Sequence, residues 1–252
     1  MTAALTIDGV GVSFSGFKAV DGVSIIVEEG ELRVLLGANG AGKTTLMDLI
    51  SGKTRPTEGR IHLFDTEITG WSEYRIARAG IGRKFQIPSV FREFSVQRNL
   101  EVASCRDPRL RANLGIGISR PQRRRIGEVL EVTGLADARD LPAGSLSHGQ
   151  TQWLELGMLI VQDTKVLLLD EPTAGMTQAE TRKTAEIIKG LRGRHTIMVV
   201  EHDMAFVREI AETITVMHLG KVLAEGNVAA IERNPDVRRA YLGSTGITEE
   251  AA

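Results

Sequence analysis

The chain has 252 residues, 42% of them hydrophobic, with 31 Lys and Arg against 32 Asp and Glu and a formal charge of -1. That length and apolar content suffice for a sizeable buried core, while the charge balance leaves none of the basic footprint that nucleic acid requires. A single cysteine, Cys105, excludes an internal disulfide and fits a reducing compartment. The first elements alternate as strands: LTIDGVGVSF, then VSIIVEEGELRVLLG turning at Glu28 to Gly30, then GRIHLFD after Gly59. Between Pro88 and about Ser145 the period shifts toward helices, as in RRRIGEVLEVTGL, with breakers at Pro108, Gly115, Gly117, Pro121 and Pro142. Next come a helix from Ser147, the buried strand VLLLD, a helix from Gln178 to Leu191, the strand HTIMVVE and a helix from Asp203. The strand TITVMHL, the hairpin arm KVLAEG and a closing helix complete the order, and strand then helix, repeated, predicts a parallel sheet covered on both faces. The start has no basic segment leading into an apolar one, and no apolar run approaches the ~20 residues a spanning helix needs. Any membrane link is therefore expected through partner proteins.

Chemistry enters at GANGAGKT, which fits G-x-x-x-x-G-K-[ST] between an apolar strand and the helix TTLMDLI. Gly37, Gly40 and Gly42 let backbone N–H groups curl around phosphate oxygens, with Ala38, Asn39, Ala41 and Thr45 completing the loop. Lys43 is expected on the β- and γ-phosphates and the Thr44 hydroxyl on magnesium. VLLLDE supplies an acidic strand end, with Asp170 for the metal shell and Glu171 as the base for an attacking water. Ser147 and Gln150 in LSHGQ form a capping-box pattern, as do Thr177 and Glu180. Gln86 stands immediately before IPSVF and His202 follows the strand ending VVE.

In this order and spacing the elements resemble the ATPase subunit of an ABC transporter, and the resemblance covers nearly the whole chain. It implies an α/β fold: a RecA-like P-loop NTPase core, an antiparallel β subdomain and an inserted α-helical signature subdomain. The division expected is 1–87 for the first part of the core, 88–150 for the helical part and 151–252 for the rest of the core. It implies ATP and Mg2+ as cofactors. Gln86 becomes the glutamine that senses magnesium and water, His202 the histidine that contacts the γ-phosphate, and Phe14 the aromatic on adenine. Ser147, Gly149 and Gln150 become γ-phosphate contacts across a subunit interface. Three positions depart from the family pattern. Ala38 replaces a proline. His148 replaces a glycine, and histidine enters positive φ less easily; its side chain is expected to be a bystander, the alternative being a contact with nucleotide or partner. Thr177 replaces an aspartate, keeping the cap and losing the charge.

The resemblance further implies a second, related ATPase chain, two permease subunits, a periplasmic binding protein reached indirectly, no nucleic acid, and a peripheral place on the cytoplasmic face of the inner membrane. Val90, Phe91, Phe94 and Val96 divide between core and a groove for a partner helix. Arg120 to Arg125 read as a solvated basic face and Trp153 as core. The ending NPDVRRAYLG resembles importers of branched-chain amino acids and urea. LSHGQ followed by QWLELGMLI, together with AGMT, points to the urea-type subunit, so urea uptake is the expected function. The alternatives are a branched-chain amino acid importer and, from another class, a soluble ATPase acting on ribosomes or DNA.

Overall fold

The computed structural model describes residues 2–84, 90–105 and 118–242. In chain order come β1 (Ala3–Phe14), β2 (Phe17–Glu28), β3 (Leu32–Leu36), α1 (Lys43–Ser51), β4 (Glu58–Leu63), β5 (Thr66–Glu67), α2 (Glu73–Ala79) and β6 (Ile81–Lys84). A helical stretch follows, with α3 (Val96–Ala103), α4 (Arg120–Thr133) and α5 (His148–Val161). The remainder alternates: β7 (Val166–Asp170), α6 (Gln178–Leu191), β8 (Thr196–Glu201), α7 (Met204–Ile210), β9 (Thr213–His218), β10 (Lys221–Gly226), α8 (Val228–Arg233) and α9 (Pro235–Val237).

Two sheets result. The smaller is antiparallel, ordered β2-β1-β4-β5, and the larger is ordered β10-β9-β3-β8-β7-β6. Within the larger sheet β3, β6, β7, β8 and β9 run parallel and β10 closes an antiparallel edge. Its central strands are apolar runs because both faces are covered: every residue of β3, β7 and β8 is buried. Alternate residues feed two separate apolar clusters. Val34, Leu167, Leu169 and Ile197 pack with Leu100, Val129 and Leu154 of the helical stretch. Leu35, Leu168, Met198 and Val200 pack with Leu46 and Ile50 of α1 and with Ile7 and Ile25 of the antiparallel sheet.

Local chemistry sets the helix ends. Ser119 caps α4 in a reciprocal box with Gln122, and Gly134 ends it at φ 68°, a left-handed turn that glycine adopts without strain. The basic run entering α4 is divided in use. Arg124 pairs with Glu128 on the exposed face at 2.9 Å, but Arg125 Nη2 donates to Ile160 O at 2.8 Å and ties α4 to the end of α5. Trp153 is partly buried against the helical-side core and donates through Nε1 to Thr184 Oγ1 at 2.9 Å. Arg33, buried in β3, joins the two sheets: its guanidinium meets Glu31 at 2.7 Å, Glu225 at 2.6 Å and Ile26 O at 2.9 Å.

His195, just before β8, is buried with Nδ1 2.6 Å from Thr164 O. Burial holds its pKa below the ordinary imidazole value, opposed by the Thr164 carbonyl and reinforced by Arg125 and Arg194. The unfolded chain therefore takes up the proton more readily, so the contribution of His195 is present above its unfolded pKa and lost as pH falls through the lower folded value. Wild type is expected to lose more urea resistance than His195→Gln between about pH 7.5 and 5.5. Equal losses in the two proteins would remove His195 from the acid response.

Candidate functional site

The loops at the carboxyl ends of β3, β7 and β8 converge, as parallel sheets dictate. Register fixes the neighbours: Leu36 stands beside Glu201, and Asp170 beside Val200. From Leu36 the chain enters Gly37 to Gly42 and then α1. A side chain at Gly37 would sit 2.5 Å from Met217 O, and one at Gly42 would sit 2.5 Å from Ala19 O. Gly42 also has φ 100°, so the turn into α1 depends on glycine for both space and torsion. Ala41 is buried, Asn39, Gly40 and Thr44 are exposed, and Thr45 is half-buried. Lys43 is 7% exposed and curls back, its Nζ donating to Gly37 O at 2.7 Å and Ala38 O at 3.0 Å. Desolvation lowers its pKa, opposed by the Glu171 and Asp170 carboxylates.

Asp170 is 2% exposed at the end of β7. Its Oδ2 accepts from Arg83 Nη2 at 3.3 Å, and Arg83 Nη1 also meets Asp48 Oδ1 of α1 at 2.5 Å. Oδ1 is buried and has no hydrogen-bond partner among the described residues. Burial raises the Asp170 pKa, opposed by Arg83. An anionic oxygen left unsatisfied costs free energy unless a cation meets it, so this donor set fits an oxygen-seeking divalent ion.

Glu171 follows with φ 45°, an uncommon left-handed conformation for a residue with a side chain. Its N–H donates to Val200 O at 3.0 Å, and its Oε1 lies 3.6 Å from His202 Nδ1. Glu201, 1% exposed, accepts from Thr173 Oγ1 at 2.6 Å and from the His202 N–H at 3.1 Å. Sequence reasoning missed Glu201, Thr173 and Arg83. The available signal was a carboxylate in an otherwise apolar strand, directly before His202.

Ser147 and Gln150 form the expected reciprocal cap on α5, and Thr177 and Glu180 form one on α6. His148 occupies the first turn of α5 without positive φ, and its Nε2 lies 3.1 Å from Ala174 O in the loop after β7. The ring thus bridges the start of α5 and the loop after β7 within this chain. Phe14 is exposed and pairs in register with Phe17 across a turn whose φ angles are 49° at Ser15 and 87° at Gly16. The same hairpin places Ala19 O against Gly42. Gln86 lies outside the described residues. Among the described residues further along, Phe91 and Phe94 are 50% and 41% exposed with ring centroids 5.4 Å apart, while Val96 is buried. Asn99 sets that exposed pair by accepting from Phe91 N at 2.8 Å and donating to Phe91 O at 3.0 Å.

With this geometry in place the family can be stated: residues 20–174 match the ABC transporter family, and the chain belongs to it. It is an ATP-binding, ATP-hydrolysing transporter subunit that uses ATP and Mg2+, with the RecA-like core, antiparallel β subdomain and inserted signature helices of that fold. Residues 221–246 match a second family, the branched-chain amino acid ATP-binding cassette transporter. The high-affinity branched-chain amino acid transport ATP-binding protein LivG of Salmonella typhimurium is 38% identical over 250 residues, covering 95% of this chain and 97% of that protein. BraF of Pseudomonas aeruginosa, described in the same words, is 37% identical over the same shares. The crystal structure of the ADP conformation of an ATP-binding cassette of an ABC transporter superposes with a TM-score of 0.84 at 29% identity, covering 96% of this chain and 100% of that one.

These findings correct the subfamily read from His148 and AGMT. The urea-type assignment and urea uptake give way, because the C-terminal match and the relatives belong to branched-chain amino acid transport. The other-class alternative, a soluble ATPase on ribosomes or DNA, gives way for the same reason. The variant residues behind the urea-type reading make contacts within this chain, His148 with Ala174 O and Met176 Sδ with Thr184 Oγ1.

Proposed function

We propose that this chain powers a branched-chain amino acid importer. The observation that carries the substrate reading is the match of 221–246, supported by the near full-length likeness to LivG and BraF. The chain works with a second, related ATPase and two permease subunits served by a periplasmic binding protein. Among the described residues no helix is long and apolar enough to cross a membrane, which suits a peripheral place on the cytoplasmic face. Residues 1–87 and 151–252 form the nucleotide core and 88–150 the helical part. The exposed pair Phe91 and Phe94 offers the permease an apolar foothold.

In the site, the N–H groups from Gly37 to Thr45 and the α1 start hold phosphate oxygens, and Lys43 exchanges its carbonyl partners for phosphate. Thr44, Asp170 and Gln86 hold magnesium, which when bound neutralises phosphate charge. Glu171 accepts the proton of the attacking water, and His202, 3.6 Å away, keeps that carboxylate and the γ-phosphate in line. Phe14 stacks on adenine. Ser147, Gly149 and Gln150 complete the site of the opposing subunit.

Uptake of labelled leucine at low concentration, in a host lacking the gene and complemented with wild type or Glu171→Gln, tests the reading. Restoration by wild type alone is expected. Leucine uptake indifferent to the gene would overturn the substrate assignment.

A further inference from the structure

The starts of α5 and α6 converge on one side chain, and its position carries an inference that rests on the cross-interface reading of Ser147 and Gly149. Glu180 Oε2 caps α6, accepting from Thr177 N and Thr177 Oγ1, each at 2.9 Å. Its Oε1 turns the other way and accepts from Ser147 Oγ at 3.2 Å. The same carboxylate lies directly against Gly149. A Cβ at Gly149 would collide with Glu180 Oε1, so glycine there is what lets the carboxylate come so close. His148 Nε2, 3.1 Å from Ala174 O, draws the same two loops together from the side. The serine donor assigned to a partner's terminal phosphate is therefore already occupied, and the glycine beside it already faced, by an anion belonging to this chain.

We propose that Glu180 is a specificity-determining residue, an internal carboxylate that holds the signature serine until a terminal phosphate displaces it. Two anions do not share one donor, so closure requires an exchange. The displaced carboxylate keeps both bonds to Thr177, which lowers the cost of leaving. A nucleoside diphosphate brings no terminal phosphate to replace the lost charge, and Glu180 then keeps Ser147 and Gly149. The preference of the closed state for triphosphate over diphosphate thus arises partly within the resting chain.

The test uses the assembled transporter carrying Glu171→Gln, with closure of the two ATPase subunits read by the distance between labels across their interface. Glu180→Gln keeps an acceptor oxygen to complete the α6 cap and removes the charge. It is expected to lower the ATP concentration for half-maximal closure by about threefold to tenfold, the net value of one ordinary hydrogen bond, and to narrow the gap between ATP and ADP. Glu180→Asp keeps the charge on a shorter arm that cannot span both helix starts, and is expected to fall between. Ser147→Ala separates the two readings, since it weakens closure if the serine meets phosphate across the interface. If Ser147→Ala changes nothing, the cross-interface reading falls and the proposal with it. If Ser147→Ala weakens closure while Glu180→Gln and Glu180→Asp leave the ATP midpoint and the ATP to ADP gap at wild type, Glu180 is a helix cap alone.

Discussion

Glu171→Gln is expected to retain ATP while turnover falls by about a hundredfold to ten-thousandfold, the usual contribution of a positioned base. The backbone explains why so small a change is decisive. Glu171 is held at φ 45° by its bond to Val200 O, so its carboxylate is aimed by a constrained turn beside His202 rather than by a flexible arm. Glutamine keeps the size and the aim and loses only the ability to accept a proton. Phosphate release from the assembled transporter, measured beside equilibrium ATP binding, checks both halves. Turnover within several-fold of wild type would remove Glu171 as the base.

Lys43→Ala is expected to have the opposite signature, with binding itself lost. Nucleotide at about a hundred times its Kd adds about 2.7 kcal/mol to a folded chain, or roughly 5 to 10 °C of melting temperature at this size. The variant is expected to show almost none of that shift. Its nucleotide-free melting temperature is expected to stay near wild type. Losing the bonds to Gly37 O and Ala38 O is offset by removing an ammonium group that burial already penalises. A full ATP-dependent shift in Lys43→Ala would overturn the phosphate role of this lysine.

What was legible from sequence was local. The glycine loop, the buried strand before Asp170 and the caps at Ser147 and Thr177 are short patterns whose physics lies within a few residues. Three features escaped because they are made between segments far apart in the chain. Arg83 reaches Asp170, Glu180 reaches Ser147, and His148 reaches Ala174 only after the sheet has brought their loops together. Glu201 was nearer to view, one position from His202, yet its role depends on Thr173 folding over it. The substrate was misread for a different reason: the urea-type reading rested on LSHGQ and AGMT, where His148 meets Ala174 within this chain, while the match to branched-chain amino acid transporters lies in residues 221–246.

The larger sheet has a consequence beyond architecture. Its two faces are packed into clusters that share strands but not side chains, one joined to the helical stretch and the other to α1 and the antiparallel sheet. A void opened under α5 therefore spares the packing behind the glycine loop, and a void behind α1 spares the helical side. Packing damage on one face is therefore expected to leave the other face's melting and nucleotide binding intact.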